Sequence, residues 1–249
     1  MPNLMTHIKV AIDTISTLDD PYIASNKGAF ILGSVSPDIR AITKWTREYT
    51  HFVPLNVTKI GSGTETMFRE HPKLIDGLSP STPTKAFIAG YISHLTLDET
   101  WITKVYRPYL GDIDSFSTPV AATIADRSIQ LDVDRMARSY LNNKVNLLKI
   151  LGNSESNIKI KFIPPKLLTE WRTWVETYIQ QPFSWKRLHF LVRRSHKQDE
   201  TAQKQVELFL KQLDVNLSQV YARLPSDCIG LFSQESIAHA TRLIRQYLY

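Results

Sequence analysis

Apolar residues in this chain recur three and four positions apart, and no segment keeps a strict every-second-residue alternation. Leu4, Ile8, Ala11, Ile12, Ile15 and Leu18 make one stripe at helical spacing and predict a first helix. Asn26 is placed to open a short helix through residues 28–32 that closes near Gly33, ahead of Pro37. Residues 53–63, rich in Gly, Thr and Ser, read as a loop, and residues 64–70 as another short helix before Pro72.

Two longer helices carry clear start signals. Thr82-Pro83 and Thr118-Pro119 each place a capping hydroxyl before a proline at the first helical position. The first is expected to run to about Val105 or Tyr106, ahead of Pro108. The second is expected to reach about Leu151, where Gly152 suits a C-terminal cap. Residues 153–165, polar and then ending in Pro164-Pro165, read as a linker. Further helices are expected at about 166–180, 199–224 and 234–248, with Leu208, Leu213, Leu217 and Val220 as core contacts. The pattern predicts a single all-α domain over residues 1–249, a bundle of seven or eight helices. Residues 1–152 would form its core, and residues 166–249 a helical extension whose last three helices could cap it.

Composition narrows what such a bundle can be. With 249 residues, 43% hydrophobic and 22% charged, the chain can bury a core without disulfides or a structural metal, so a metal would be present for chemistry. The one cysteine, Cys228, allows no intramolecular disulfide, and the neighbouring Asp227 disfavours its thiolate. The opening residues from Met1 to His7 lack a basic stretch followed by an apolar run, so they do not read as a secretory signal. Residues 86–97 are too short an apolar run to span a bilayer. The expectation is a soluble, cytoplasmic protein. A net charge of +6 favours anionic partners (phosphates, nucleic acid or an acidic membrane surface) without choosing among them.

Several ionisable residues sit where an ordinary core would not place them. His94 and Asp98 are four apart, on one face of the first long helix; His51 precedes Phe52, and Asp38 follows Pro37 just past a helix end. His7 lies beside the apolar stripe of the first helix. Pairs with the spacing of His94 and Asp98 arise by chance in a chain with this many acids, and His196/Glu200 is a second example. Context says more than spacing. Asp38 and Asp98 lie in apolar surroundings with no Lys or Arg at helix-neighbour spacing, so each needs a buried partner. His and Asp together suit zinc or another first-row divalent ion, while a metal-free hydrogen-bonded His–Asp network would also satisfy them.

Three segments in order, residues 28–38 (GAFILGSVSPD), 50–52 (THF) and 86–101 (AFIAGYISHLTLDETW), together with the opening residues 1–7, resemble the zinc-dependent phospholipase C family. The resemblance covers about residues 1–110 and implies that family's all-α fold, shared with the S1/P1-type nucleases. It implies that Asp38, His51, His94 and Asp98 bind one zinc, and that Asp98 bridges to a second that also takes His7. It further implies that Asp38 can orient the attacking water as general base. Secreted members add a processed N-terminal ligand, further histidines soon after the H-x-x-x-D pair, and then an H-x-x-x-E pair. Here no histidine occurs between His94 and His189, so one or two metal ions are expected rather than three.

Other features read more plainly. His196/Glu200 and the basic run Lys186–Lys197 are expected on a solvated face, His71 and His239 at surface or capping positions, and Trp101 in core packing. Asp126 or Arg127 could reach the site as a ligand or phosphate clamp. The sequence therefore predicts a zinc-type phosphoesterase acting on a phosphate-containing small molecule or lipid headgroup, with no specific nucleic acid partner. Two alternatives are a metal-dependent hydrolase of non-phosphate substrates and a non-catalytic metal-binding scaffold.

Overall fold

The apolar stripe expected near the N-terminus forms helix α1, Leu4–Leu18, with Leu4, Ile8, Ala11, Ile15 and Leu18 all buried. The computed structural model describes residues 2–76 and 83–249; Met1 and Thr82, the expected cap of the long helix, lie outside the described residues. Among the described residues every regular element is helical, so the all-α expectation holds.

Short helices α2 (Pro21–Ser25) and α3 (Lys27–Val35) follow, then a 3-10 turn at Ser36–Ile39 and the brief α4 (Arg40–Thr43), α5 (Arg47–His51), α6 (Ser62–Glu70) and α7 (Lys73–Asp76). Asn26 opens α3 as expected, although its side chain makes no capping bond and donates its amide back to Tyr22 O, while Asp20 caps α2 by accepting from Ile23 N at 2.8 Å. Helix α8 (Pro83–Thr100) is buried on nearly every face, as a helix at the centre of a bundle must be. It does not stop ahead of Pro108. It continues as a π-helix over Trp101–Leu110 with Pro108 inside it. Widened turns of this kind concentrate at functional sites, and this one begins three residues after Asp98.

Thr118 caps α9 (Pro119–Asn142) as expected, its hydroxyl accepting from Ala121 N at 3.0 Å. That helix ends nine residues before Leu151. Asn146 starts a separate helix α10 (Leu147–Leu151) by accepting from Lys149 N, so the chain re-nucleates after Asn143 instead of running through. Residues 153–165 are irregular but not free: Ile158, Phe162 and Ile163 are buried in the main core with Leu168, Trp171 and Val175 of α11 (Pro165–Gln180). The later helices are α12 (Arg187–Ser195), α13 (Ala202–Lys211), α14 (Leu213–Tyr221) and α15 (Cys228–Leu248). One helix was expected across residues 199–224, but the chain breaks at Gln212. Leu208 is then 54% exposed, and Val206 takes the core position expected for it, while Val220 is buried as expected. α15 lies against α8 and α1, whereas α12 and α13 cover α9.

Two glycines fix how closely the central helices approach. A Cβ on Gly90 would stand 1.9 Å from Phe30 O, and one on Gly33 would stand 2.0 Å from Phe87 O. α3 and α8 therefore touch backbone to backbone. No helix among the described residues is long and apolar enough to cross a membrane.

Candidate metal centre

The contact between α3 and α8 sets the orientation of the first imidazole. His94 Nδ1 lies 2.8 Å from Ser34 O, a carbonyl that can only accept, so the proton sits on Nδ1 and Nε2 is left bare. His51, at the end of α5, has Nδ1 2.9 Å from Thr50 Oγ1 and turns its own Nε2 inward. Tyr91 of α8 holds α5 in place by donating to Thr50 O at 2.6 Å. This pattern, one ring nitrogen fixed by an outer oxygen and the other pointing into a cluster, is what metal-ligating histidines require.

Around His51 Nε2 the donors gather closely. His94 Nε2 and Asp98 Oδ2 are each 3.3 Å away and Asp38 Oδ1 is 3.8 Å away, while His94 Nε2 lies 3.7 Å from Asp98 Oδ2. A tetrahedral zinc with bonds of about 2.0–2.1 Å separates its ligands by about 3.3–3.4 Å. His51 Nε2 stands at about that spacing from His94 Nε2 and Asp98 Oδ2, with Asp38 Oδ1 somewhat farther off. On the other side of Asp98, His7 Nε2 lies 3.5 Å from Oδ1, and the His7 ring stacks on His94 with centroids 3.8 Å apart. The five residues expected from the sequence thus gather from α1, the 3-10 turn, α5 and α8 into two groups that share His94, one with Asp38 and His51 and one with His7 and Asp98.

The cluster fits a cation. Asp98 Oδ1 and both nitrogens of His7 are buried with no hydrogen-bond partner among the described residues. Leaving such groups unpaired costs about 1–3 kcal/mol each, and a cation removes that cost. His51, His94 and Asp98 are all within 1% of full burial, but Asp38 is a third exposed and opens the centre to solvent. Burial holds His94 well below the usual imidazole range and the nearby His7 adds to this; burial likewise lowers His51, against the pull of Asp98. Both are neutral, as ligands must be. Burial alone would raise Asp98, but His51, His7, His94 and Arg47 outweigh it and keep the carboxyl well below its usual range.

Arg47 is the residue that sequence reasoning missed. Its guanidinium is buried, with Nη1 and Nη2 at 3.3 and 3.2 Å from Asp98 Oδ2. Asp98 was expected to need a buried partner because no Lys or Arg lies at helix-neighbour spacing, and Arg47, 51 residues away in sequence, is one. Its spacing from His51, four residues within α5, was the available signal. Two further groups support the centre from outside it. Asp134 of α9 accepts from Met5 N at 2.8 Å and Thr6 N at 3.3 Å, anchoring the start of the helix that carries His7. Glu99 accepts from Gly61 N and Gly63 N at 2.5 and 2.6 Å, pinning the loop after His51 onto α8.

The remaining candidates lie elsewhere. Asp126 accepts from Trp101 Nε1 and Gln130 Nε2, and Arg127 turns to Gln130, so neither joins the ligands. Trp101 is buried, as expected. His196 ends α12 and meets Thr123 Oγ1 at 2.8 Å, whereas Glu200 lies beyond the helix and is exposed, so the two share no helical face. His71 caps α6 through its backbone and stacks on Phe162. Cys228 is buried, and burial, with Asp227, pushes its thiol up. Comparison with known proteins gives no match to a family model, a curated protein or a solved structure.

Proposed function

We propose that this protein is a metal-dependent hydrolase of the zinc phospholipase C type, cleaving phosphoesters with a metal-activated water. The observation that carries this reading is the gathering of Asp38, His51 and His94 into one possible ion site, with Asp98 3.3 Å from His51 and Asp38 partly exposed. A divalent ion held there would polarise a phosphoryl oxygen and lower the pKa of a bound water. His94 is held in the ligating tautomer by Ser34 O, and His51 is steered by Thr50. Asp38, open to solvent at the edge of the centre, is the carboxylate placed to accept the water's proton.

Charge near Asp38 supports an anionic substrate. Arg40, two residues after Asp38, is half-buried and within electrostatic reach of Asp38, Arg47 and Arg194. Burial and the two neighbouring guanidinium groups disfavour its charge while Asp38 and Glu48 offset them, and an arriving phosphate would relieve this crowding of like charges. The net charge of +6 draws such substrates in. The near-complete burial of the other ligands favours a second reading, a metal-binding scaffold without turnover.

Asp98→Asn tests the proposal. Asparagine keeps the shape but removes the anionic ligand, so bound zinc and hydrolysis of chromogenic phosphomonoesters and phosphodiesters should both fall to background while helical circular dichroism persists. Wild-type metal content and activity in that variant would refute the assignment. Metal binding by the wild type without turnover on any ester would leave the scaffold.

A further inference from the structure

α12 is anchored by its inner face, where Leu188 and Val192 are buried in a small core with side chains of α9 and α13. Its outer face is exposed. Phe190, Arg193 and Arg194 lie on it, with Lys186 just before its first turn and Lys197 just past its last. These positions follow one another at steps of three and four, so they share one side of the helix. Between Glu176 and Asp199 the chain contains no acid. Among the described residues none of the four cations has a carboxylate partner, whereas Lys9, Lys59, Lys104, Arg135 and Arg172 each have one. Of the two acids that follow, Asp199 is turned to Thr201, accepting from its N and Oγ1 at 2.9 and 2.7 Å, and Glu200 stands exposed beyond the helix. The face keeps an excess of positive charge.

A phenyl ring stands among these cations. Phe190 is 65% exposed, the most of any large apolar side chain among the described residues, and the Arg194 guanidinium lies 5.9 Å from its ring centre. We propose that the outer face of α12 docks the protein on an anionic lipid surface, its cations meeting the lipid headgroups and the Phe190 ring entering the headgroup layer. A nucleic acid offers the same charge, but it is ordinarily held along a basic groove by several stacked bases. α12 presents a single ring on the outside of a helix, which suits shallow insertion. The use of this docking rests on the metal-centre reading, although the docking itself does not. Arg194 is within electrostatic reach of Arg40, two residues after Asp38, the ligand candidate open to solvent. A lipid surface held against α12 therefore lies beside the open edge of the centre.

Co-sedimentation of the full chain with vesicles tests the docking. The wild type should sediment with vesicles of phosphatidylcholine mixed with phosphatidylserine, stay in solution with phosphatidylcholine alone, and bind more weakly as salt rises. Arg193→Gln combined with Lys197→Gln should lower affinity for the mixed vesicles by about 25-fold, at about fivefold per cation. Phe190→Ser should lower it by roughly tenfold. All three positions are exposed, so helical circular dichroism and zinc content should stay at wild-type levels. Lys144→Gln combined with Lys149→Gln removes the same charge outside α12 and should bind nearly as the wild type does. A wild type that ignores the mixed vesicles would overturn the proposal, and if it bound a single-stranded oligonucleotide instead, the face would belong to nucleic acid. Undiminished binding in both α12 variants, or an equal loss in the Lys144/Lys149 variant, would also overturn it. Vesicle binding by a chain that takes up no zinc would overturn the metal reading and leave the docking standing.

Discussion

Replacing Gly90 with alanine separates two effects of opposite sign. In a helix interior, alanine is favoured over glycine by about 1 kcal/mol, so propensity alone predicts a gain. The structure predicts a loss. The new Cβ would stand 1.9 Å from Phe30 O and 2.9 Å from Ser34 N, both backbone atoms of α3 with no rotamer to yield. The helices would have to part by about 1.5 Å to reach ordinary contact, and overpacking of this kind costs about 1–3 kcal/mol, occasionally more. With the propensity gain deducted, a net loss of up to roughly 2 kcal/mol should lower Tm by up to about 8 °C in a chain of this size.

The same shift stretches the 2.8 Å contact between His94 Nδ1 and Ser34 O past hydrogen-bonding range. Loss of such an outer contact weakens metal affinity by about 10–100-fold. Gly33→Ala, whose Cβ meets Phe87 O at 2.0 Å, should behave alike. Gly230→Ala on α15 is the control, because nothing lies within 4 Å of its new methyl, and it should hold or slightly raise Tm. Thermal melts of the metal-free proteins and zinc titrations check both halves. A Gly90→Ala protein as stable as the Gly230→Ala control, with zinc affinity unchanged, would refute the reasoning.

Two further outcomes follow from groups around the centre. Burial pushes the Glu99 carboxyl up to about 7 from an ordinary 4.5, despite the Gly61 and Gly63 amides it accepts from. Between these values the unfolded chain sheds the proton first, so metal-free stability should fall by roughly 3 kcal/mol from pH 4.5 to 7. Denaturant melts of Glu99→Gln should show that slope removed, and an unchanged slope would assign the pH dependence to another group. His196→Ala should leave metal content and phosphoesterase activity at wild-type levels, because His196 meets Thr123 and shares no face with Glu200; a loss as large as that of His94→Ala would reinstate the downstream pair as ligands.

What could be read from the sequence was whatever repeats along the chain. The stripe of α1, the Thr118-Pro119 start of α9 and the helical spacing of His94 and Asp98 depend on neighbours within one or two turns, and all three stand in the structure. Boundaries depended on competing local signals and were less legible. Pro108 was expected to end its helix, yet the π-helical stretch over Trp101–Leu110 accommodates it. Asn146 was passed over as interior although it caps a new helix. The break at Gln212 followed no proline or glycine, and it shifted the buried face from Leu208 to Val206.

The centre itself divides in the same way. Its five ligand candidates were found by residue type and by likeness to a motif, but the groups that decide their behaviour come from elsewhere in the fold. Ser34 acts through its carbonyl, which leaves no trace in residue type, and it reaches His94 because Gly33 and Gly90 let two backbones meet. Asp134 reaches Met5 across 129 positions, and Arg47 reaches Asp98 across 51. The identity of these candidates is thus a local property of the chain, whereas their charge and tautomer follow from packing. Arg47 carries the largest consequence, since a reading along one helix leaves Asp98 without a cation and the packed structure sets a guanidinium on its Oδ2.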